Sequence, residues 1–133
     1  MKVVNVSGTR KRAIARATLQ KGSGMVKING KPLDIFQPKY LQTRIREALI
    51  LAESEVKNLD ISIRVSGGGP AGQADAIRLA IGRGIIEFTQ SDDLRQKYTA
   101  YDRLLLVADI RRKESRKPNC RGKARAKRQK SYR

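Results

Sequence analysis

Hydrophobic and polar residues alternate along the N-terminal part of the chain, as they do in β-strands that bury one face. Residues 3–6 form a β-branched run and predict one strand. Over residues 9–20, alanines and a leucine occupy every second position, which predicts a second strand. A turn at residues 21–24 predicts that residues 25–29 return as a third strand, closing a hairpin with the second, before a further turn at Asn29-Gly30.

The period then changes to that of amphipathic helices. Pro38 suits the first turn of a helix whose apolar stripe contains Leu41, Ile45, Ala48, Leu49 and Ala52. A second helix follows the break at residues 67–70, and its stripe contains Ala74, Ile77, Ile81, Ile85 and Phe88. Helical spacing outside this stripe predicts ion pairs of Asp75 with Arg78 and of Arg83 with Glu87.

The order of these elements predicts the fold class. Residues 61–65 alternate as a half-buried strand, residues 91–98 predict a capped short helix, and Gly82 and Gly84 indicate close packing of the second helix on a sheet rather than close approach of RNA. We therefore expect an α+β protein, with a small mixed β-sheet and helices packed on one face as a two-layer sandwich, plus an extended basic C-terminal tail. The opposite sheet face would be basic, since it would carry Arg12, Arg16 and Arg64.

Charge separates the chain into two parts. The 133 residues carry a net charge of +18, and residues 111–133 hold twelve Lys and Arg against the single acid Glu114. That segment contains no aliphatic residue larger than alanine, so burial cannot offset the entropy of ordering it. It needs a polyanion, and nucleic acid is the commonest one. We expect a globular RNA-binding body over residues 1–110 and an extended basic tail over residues 111–133.

Composition also limits the function classes. No stretch approaches the roughly 18–20 apolar residues of a membrane span, and the N-terminal residues lack the unbroken apolar run of a signal peptide. We therefore expect a cytoplasmic protein that does not bind membranes. Cys120 is the single cysteine and histidine is absent, so we expect no disulfide, no metal, no cofactor and no enzymatic activity.

The glycine-rich segment SGGGPAGQ lies between a predicted strand and a predicted helix. Such a position can bring a phosphate to free backbone N–H groups. The segment lacks the Lys-Ser/Thr of a P-loop and the spacing of a dinucleotide fingerprint. A tight turn with Pro70 at the first helical position is preferred, with a nucleotide pocket and a turn lying close to an RNA backbone as the alternatives.

Clustered cations are the candidate RNA contacts. Four of them near the N-terminus have no acid between Met1 and Leu33, and their mutual repulsion favours phosphate contact over a solvated face. The candidate rRNA-binding residues are Arg10, Lys11, Arg12 and Arg16 in the body, and Arg111, Arg112, Lys113, Arg116, Lys117, Arg121, Lys123, Arg125, Lys127 and Arg128 in the tail.

Three segments together resemble a known family. They are GTRKRAIARATL at 8–19, SGGGPAGQADAIRLAIGR at 66–83, and DIRRKE followed by RGKARAKRQKSYR at the C-terminus. They resemble protein nine of the small ribosomal subunit, a universal family, and the QKSYR ending is similar to its archaeal and eukaryotic branch. The resemblance implies an α/β body that binds the RNA of the small-subunit head and an arm whose tip touches the tRNA backbone in the peptidyl site. Carried over by position, the tRNA-binding residues are Lys130, Ser131, Tyr132 and Arg133.

The expected function is therefore that of a structural constituent of the small ribosomal subunit head. Its expected partners are small-subunit ribosomal RNA, peptidyl-site tRNA and neighbouring head proteins. Three rival functions remain open from the residues alone. They are a phosphotransfer enzyme that uses the glycine turn, an RNA chaperone or repressor that acts off the ribosome, and a binder of anionic membranes, for which an amphipathic basic helix is missing.

Overall fold

A computed structural model describes residues 1–119 and 121–125. It contains one five-stranded sheet in the order β1-β2-β5-β3-β4. The strands are β1 (Val3–Arg10), β2 (Ala13–Lys21), β3 (Val26–Ile28), β4 (Lys31–Pro32) and β5 (Leu59–Ser66). The helices are α1 (Lys39–Leu51), α2 (Glu53–Val56), α3 (Pro70–Thr89) and α4 (Asp92–Tyr101), with short 3-10 turns at Leu33–Ile35 and Arg103–Leu105. In the part of the chain so described, every helix is too short or too polar to cross a membrane.

The predicted α+β fold class is confirmed. The sheet is mixed, because β3 runs parallel to β5 while the other pairs are antiparallel. Every second residue of β2 and β5 is buried against the helices, whereas the residues between them are largely exposed. Both predicted helical stripes lie in the core, except that Leu49 and Phe88 are only partly buried at its edge. The periodicities therefore identified the two layers and the faces that meet.

The predicted strand over residues 9–20 is wrong as a single element. β1 continues to Arg10, and β2 begins at Ala13, directly opposite Arg10 in an antiparallel pair. Lys11 and Arg12 form the two-residue connection, and Lys11 has a positive φ of 54°. Even-numbered residues of β1 and odd-numbered residues of β2 face the core, so the alternation changes parity at this turn. The polar run at residues 9–12 hides that change, so the pattern alone does not reveal the break.

The predicted hairpin between the second and third strands is also wrong. β5 lies between β2 and β3, and it pairs antiparallel with β2 along eight residues. β3 has only three residues and pairs parallel with β5. β5 is longer than β3, and its large residues lie opposite the small alanines of β2, as Ile63 does opposite Ala17. The β2–β5 pair therefore buries more apolar surface than a pair of β2 with the short β3 could. The predicted turn at Asn29-Gly30 is confirmed, between β3 and β4.

α3 packs closely because glycines stand where a side chain would collide. A Cβ at Gly84 would lie 2.4 Å from Leu19 Cδ1 on β2, which confirms the predicted packing of helix on sheet. A Cβ at Gly82 would lie 2.4 Å from the carbonyl oxygen of Leu105, so this glycine admits the segment that follows α4. The central helix is thus in contact with the sheet on one side and with the start of the C-terminal segment on another.

Tyr98 on α4 joins two helices through a buried hydrogen bond. Its ring is 0% exposed, its hydroxyl donates to the carbonyl oxygen of Ala48 near the end of α1 at 2.7 Å, and burial raises the pKa of the phenol. Because the last turn of a helix leaves carbonyls without helical partners, this bond stabilises the end of α1.

We expect Tyr98→Phe to lower the free energy of unfolding by about 1–2 kcal/mol in urea denaturation, because the carbonyl of Ala48 loses its hydrogen-bond donor. Tyr101→Phe is the control, since Tyr101 is 55% exposed, and an equal loss in both variants would contradict this role.

Candidate nucleic-acid interface

The side chains that point away from the helices form the open face of the sheet, and they lie in rows across the strands. Arg16 on β2 lies directly opposite Arg64 on β5, and Ser7 on β1 flanks Arg16 on the other side. We call these three residues the arginine row. Both arginines are exposed, and neither has an ion pair among the described residues. Like charges directly opposite each other destabilise a sheet, so an anion bound between them would relieve this repulsion.

A second row is polar and carries one cation. It runs from Asn5 on β1 through Thr18 on β2 and Ser62 on β5 to Lys27 on β3, and we call it the hydroxyl row. The Thr18 hydroxyl donates to the Asn5 side-chain oxygen at 2.9 Å. Opposite residues in neighbouring strands lie about 4.5–5.5 Å apart, so the row is a continuous line of hydrogen-bonding groups.

Asp60 is the only acid that β1 to β5 place on this face, and it lies at the margin. Its carboxylate accepts hydrogen bonds from the backbone N–H groups of Ser23 at 2.9 Å and of Met25 at 3.1 Å. Backbone donation, first from Met25 and then from Ser23, holds the pKa of Asp60 below its usual value. The carboxylate is thus engaged by the adjoining turn, and the centre of the face keeps its positive charge.

The predicted cluster of Arg10, Lys11 and Arg12 lies at the β1–β2 turn, at the end of the sheet. Arg10 is turned inward, with its Nη1 3.4 Å from Asp109 and its Nε 3.7 Å from Asp75. These acids make Arg10 the least available of the cluster for a phosphate. Lys11 and Arg12 are exposed. The prediction that Arg12 shares a face with Arg16 and Arg64 is wrong, because Arg12 is in the connection rather than in a strand.

The first cations of the predicted tail lie against this same turn. Arg112 Nη1 donates to the carbonyl oxygen of Lys11 at 2.8 Å. Arg111 Nη2 lies 2.7 Å from Asp109, and hydrogen bonds from Arg111, together with the charge of Arg10, hold the pKa of Asp109 well below its usual range. The tail therefore leaves the body beside the β1–β2 turn, with two of its cations already positioned there.

Farther along, the cations of the described tail are all exposed. Lys117 donates its backbone N–H to the carbonyl oxygen of Lys123 at 3.2 Å, so a turn lies within the segment predicted to be extended. Arg125 Nε lies 2.9 Å from Glu114 and lowers the pKa of that carboxyl. Beyond Arg112, the exposed tail cations with no ion pair in the described range are Lys113, Arg116, Lys117, Arg121 and Lys123. The predicted contacts Lys127, Arg128, Lys130, Ser131, Tyr132 and Arg133 lie outside the described residues.

The ion pairs predicted along α3 are wrong. Arg78 is only 8% exposed and binds Glu47 at 2.7 Å and Asp102 at 2.9 Å, which links α3 to α1 and to the segment after α4. Partial burial raises the pKa of Asp102, but hydrogen bonds from Leu104 N–H and Arg78 outweigh it and lower that pKa. The helical spacing failed here because partners distant in sequence approach Arg78 more closely than Asp75 does.

Arg83, the other arginine predicted to pair within α3, holds backbone carbonyls instead of Glu87. Its Nε donates to the carbonyl oxygen of Leu106 at 3.0 Å, and its Nη1 donates to that of Ser7 at 3.2 Å. It therefore joins the segment after α4 to the edge strand β1. This arginine supports the fold, and it is not part of the open face.

The glycine-rich turn packs against the body. Gly67 and Gly68 have φ values of 76° and 65°, a region that favours glycine. A Cβ at Gly67 would lie 2.5 Å from the carbonyl oxygen of Arg12, and one at Gly68 would lie 3.1 Å from Ala13. Contact with the β1–β2 turn accounts for both glycines without a nucleotide, which supports the tight-turn interpretation. Among the described residues, no group of three or more His, Cys, Asp or Glu could hold a metal ion.

Part of the open face was not predicted from the sequence. Arg64 was expected on the basic face but not among the contacts, and neither Lys27 nor the hydroxyl row was predicted. The period-2 alternation of β2 and β5 already pointed Thr18 and Ser62 away from the core. What the sequence lacked was the strand order that aligns them with Asn5 and Lys27.

The architecture defines the class of the protein: a small, strongly basic α+β protein with cations on one sheet face and in one terminal arm. The sequence matches the family described as ribosomal protein S9/S16 over residues 8–133. Among its relatives are proteins named small ribosomal subunit protein uS9 from Methanococcus maripaludis strain S2, 52% identical over 134 residues, and from Thermoplasma volcanium, 47% identical over 133 residues, with 100% of each chain covered. The chain belongs to the ribosomal protein S9/S16 family. The predicted resemblance is confirmed, and it identifies a structural ribosomal protein rather than an enzyme.

Proposed function

We propose that this chain is a structural constituent of the small ribosomal subunit head in the cytoplasm, where it binds small-subunit ribosomal RNA and contacts head proteins beside it. The observation that carries the proposal is the set of cations without acidic partners in a member of this family. Such cations lie in the arginine row and at Lys113, Arg116, Lys117, Arg121 and Lys123 in the described tail. Each can neutralise a phosphate and release counterions, which favours binding to folded RNA.

In this proposal the body, residues 1–110, provides a fixed surface, and the tail, residues 111–133, penetrates the RNA. The close contact of Arg111 and Arg112 with the body supports a tail that starts from one defined place. The cations of the described tail are spaced by small or polar residues, so the segment is thin enough to pass between RNA helices. The rRNA contacts include Lys127 and Arg128 by the same reasoning from charge.

The tail tip is proposed to contact the backbone of peptidyl-site tRNA through Lys130, Ser131, Tyr132 and Arg133. This finer role rests on the family resemblance of the C-terminal sequence and on chemistry. Arg133 offers a planar fork of donors that can hold a phosphate at two oxygens, whereas Lys130 offers a point charge.

Truncation after Lys130 tests both parts of the proposal. Reconstituted small subunits that carry the truncated protein should sediment as complete particles, because the buried core of the described body ends at Leu105, far before the deletion in sequence. They should bind peptidyl-site tRNA up to about tenfold more weakly, as expected for one or two lost charge-assisted bonds. The matched control is Lys57→Gln, on the helical side of the body. Unchanged tRNA affinity and reading-frame accuracy would refute the tip assignment, and failure of the full-length protein to sediment with small subunits would refute the structural role.

A further inference from the structure

The open face of the sheet lacks the aromatic platforms that unpaired RNA bases require. None of the side chains that the five described strands place on this face is a Phe, Tyr or Trp. Sheets that read single-stranded RNA stack its bases on exposed aromatic rings. The face is therefore poorly suited to unpaired bases, although it is suited to phosphates and hydroxyls.

Double-helical RNA offers those two groups together. Its minor groove is wide and shallow and displays ribose 2′-hydroxyls, each of which is both a donor and an acceptor. In the hydroxyl row, Thr18 donates to Asn5, which leaves the amide hydrogens of Asn5 as donors and the lone pairs of Thr18 as acceptors. Ser62 can act in either way. The row thus presents donors and acceptors in turn to a line of 2′-hydroxyls.

The arginine row lies beside the hydroxyl row at a useful spacing. Residues two apart on a strand are separated by about 6.5–7 Å and point to the same side. Arg16 therefore lies at that distance from Thr18 on β2, and Arg64 at that distance from Ser62 on β5. The two guanidinium groups can reach phosphates that flank the riboses contacted by the hydroxyl row. One flat surface therefore matches both the sugar edge and the charged edge of a shallow groove.

We infer that the open face binds double-helical RNA across its minor groove, with the hydroxyl row on ribose 2′-hydroxyls and with Arg16 and Arg64 on phosphates. This inference rests on the proposed binding of ribosomal RNA and adds the form of RNA and the group that is read. It distinguishes the face from the tail, whose exposed cations recognise phosphate charge without regard to sugar. It also accounts for the two arginines placed opposite each other, because phosphates of the duplex bound between their guanidinium groups offset the repulsion of the two positive charges.

The test combines protein variants with modified RNA. Full-length protein and the Thr18→Val/Ser62→Ala variant are titrated with two RNA duplexes of about 16 base pairs and identical sequence, one with free 2′-hydroxyls and one fully 2′-O-methylated. The normal protein should bind the unmodified duplex about tenfold more tightly, and the variant should discriminate only about twofold. Because the tail is present in both proteins, its contribution cancels in the ratio of ratios.

Two further variants complete the design. Thr43→Val/Ser54→Ala removes exposed hydroxyls from the helical side and should keep the tenfold discrimination. Arg16→Gln/Arg64→Gln should weaken both duplexes by a similar factor. Circular dichroism establishes that each variant is folded, and Ser62→Ala alone replaces the double variant if Thr18→Val perturbs β2. Equal discrimination by the normal protein and the hydroxyl variant would overturn this inference alone, whereas absence of RNA binding by the normal protein would overturn the proposed function as well.

Discussion

Removal of residues 111–133 should lower the affinity of the protein for single-stranded RNA about a thousandfold at low salt. The tail holds twelve of the 30 Lys and Arg residues and only one acid, so it supplies the densest charge of the chain. If about ten cations contact phosphates in the intact protein, the slope of log affinity against log salt is about −7. Loss of about seven of those contacts flattens the slope by about 5 units. Filter binding or fluorescence anisotropy across a salt series measures both quantities.

A graded variant separates charge from chain length in this experiment. Changing Lys113, Lys117 and Lys123 to Gln keeps the tail at full length and removes three cations that have no ion pair among the described residues. The slope should then flatten by about 2 units. A slope that stays unchanged after deletion of the whole tail would mean that the body makes the phosphate contacts. The assignment of most of these contacts to the tail would then be wrong.

Gly8→Ala should be among the most destabilising single substitutions, costing about 3 kcal/mol of unfolding free energy. Gly8 is on β1 where the strand crosses α3 without intervening side chains. A Cβ there would lie 2.4 Å from the carbonyl oxygen of Ala76 and 2.8 Å from the amide nitrogen of Ala80. Both are backbone atoms of the central helix, so no rotamer change can relieve the collision, and α3 must move away from the sheet.

Gly69→Ala provides the matched control for this substitution. Gly69 precedes α3, has an ordinary φ of −103°, and would place its Cβ with no atom within 4 Å. We expect the control to change the stability by less than about 0.5 kcal/mol. Urea midpoints of the two variants, measured side by side, decide the matter. Similar midpoints would show that β1 and α3 can separate at little cost.

Local pattern was sufficient for the layers of this fold. The apolar stripes of α1 and α3 and the alternation of β2 and β5 show which residues face the core. This periodicity is visible within a short stretch of sequence. The cap of α4 was also readable, since Ser91 accepts a hydrogen bond from the backbone N–H of Leu94 as the spacing predicted. These features required no knowledge of distant partners.

Distant pairing accounts for what the sequence could not predict. The place of β5 between β2 and β3 depends on pairs of residues 35 to 52 positions apart, for which a turn signal at residues 21–24 is no guide. Arg78 was assigned to Asp75, yet it binds Glu47 and Asp102, which are 31 and 24 positions away. The hydroxyl row is recognisable only after strand order is known. The tail tip was predicted from resemblance, because charge alone does not distinguish ribosomal RNA from tRNA.

The fixed starting point of the tail has a consequence for kinetics. Gly82 and Arg83 hold Leu105 and Leu106 to α3, and Arg112 is bound to the β1–β2 turn, so the arm begins from a place that the body determines. A 23-residue arm reaches about 75 Å at full extension, and a tethered group of this kind meets its target at an effective concentration in the millimolar range. In the proposed function, release of the tip from tRNA is then a local and quickly reversed event, because the bound body keeps the arm close to the tRNA and rebinding does not require diffusion from bulk solution.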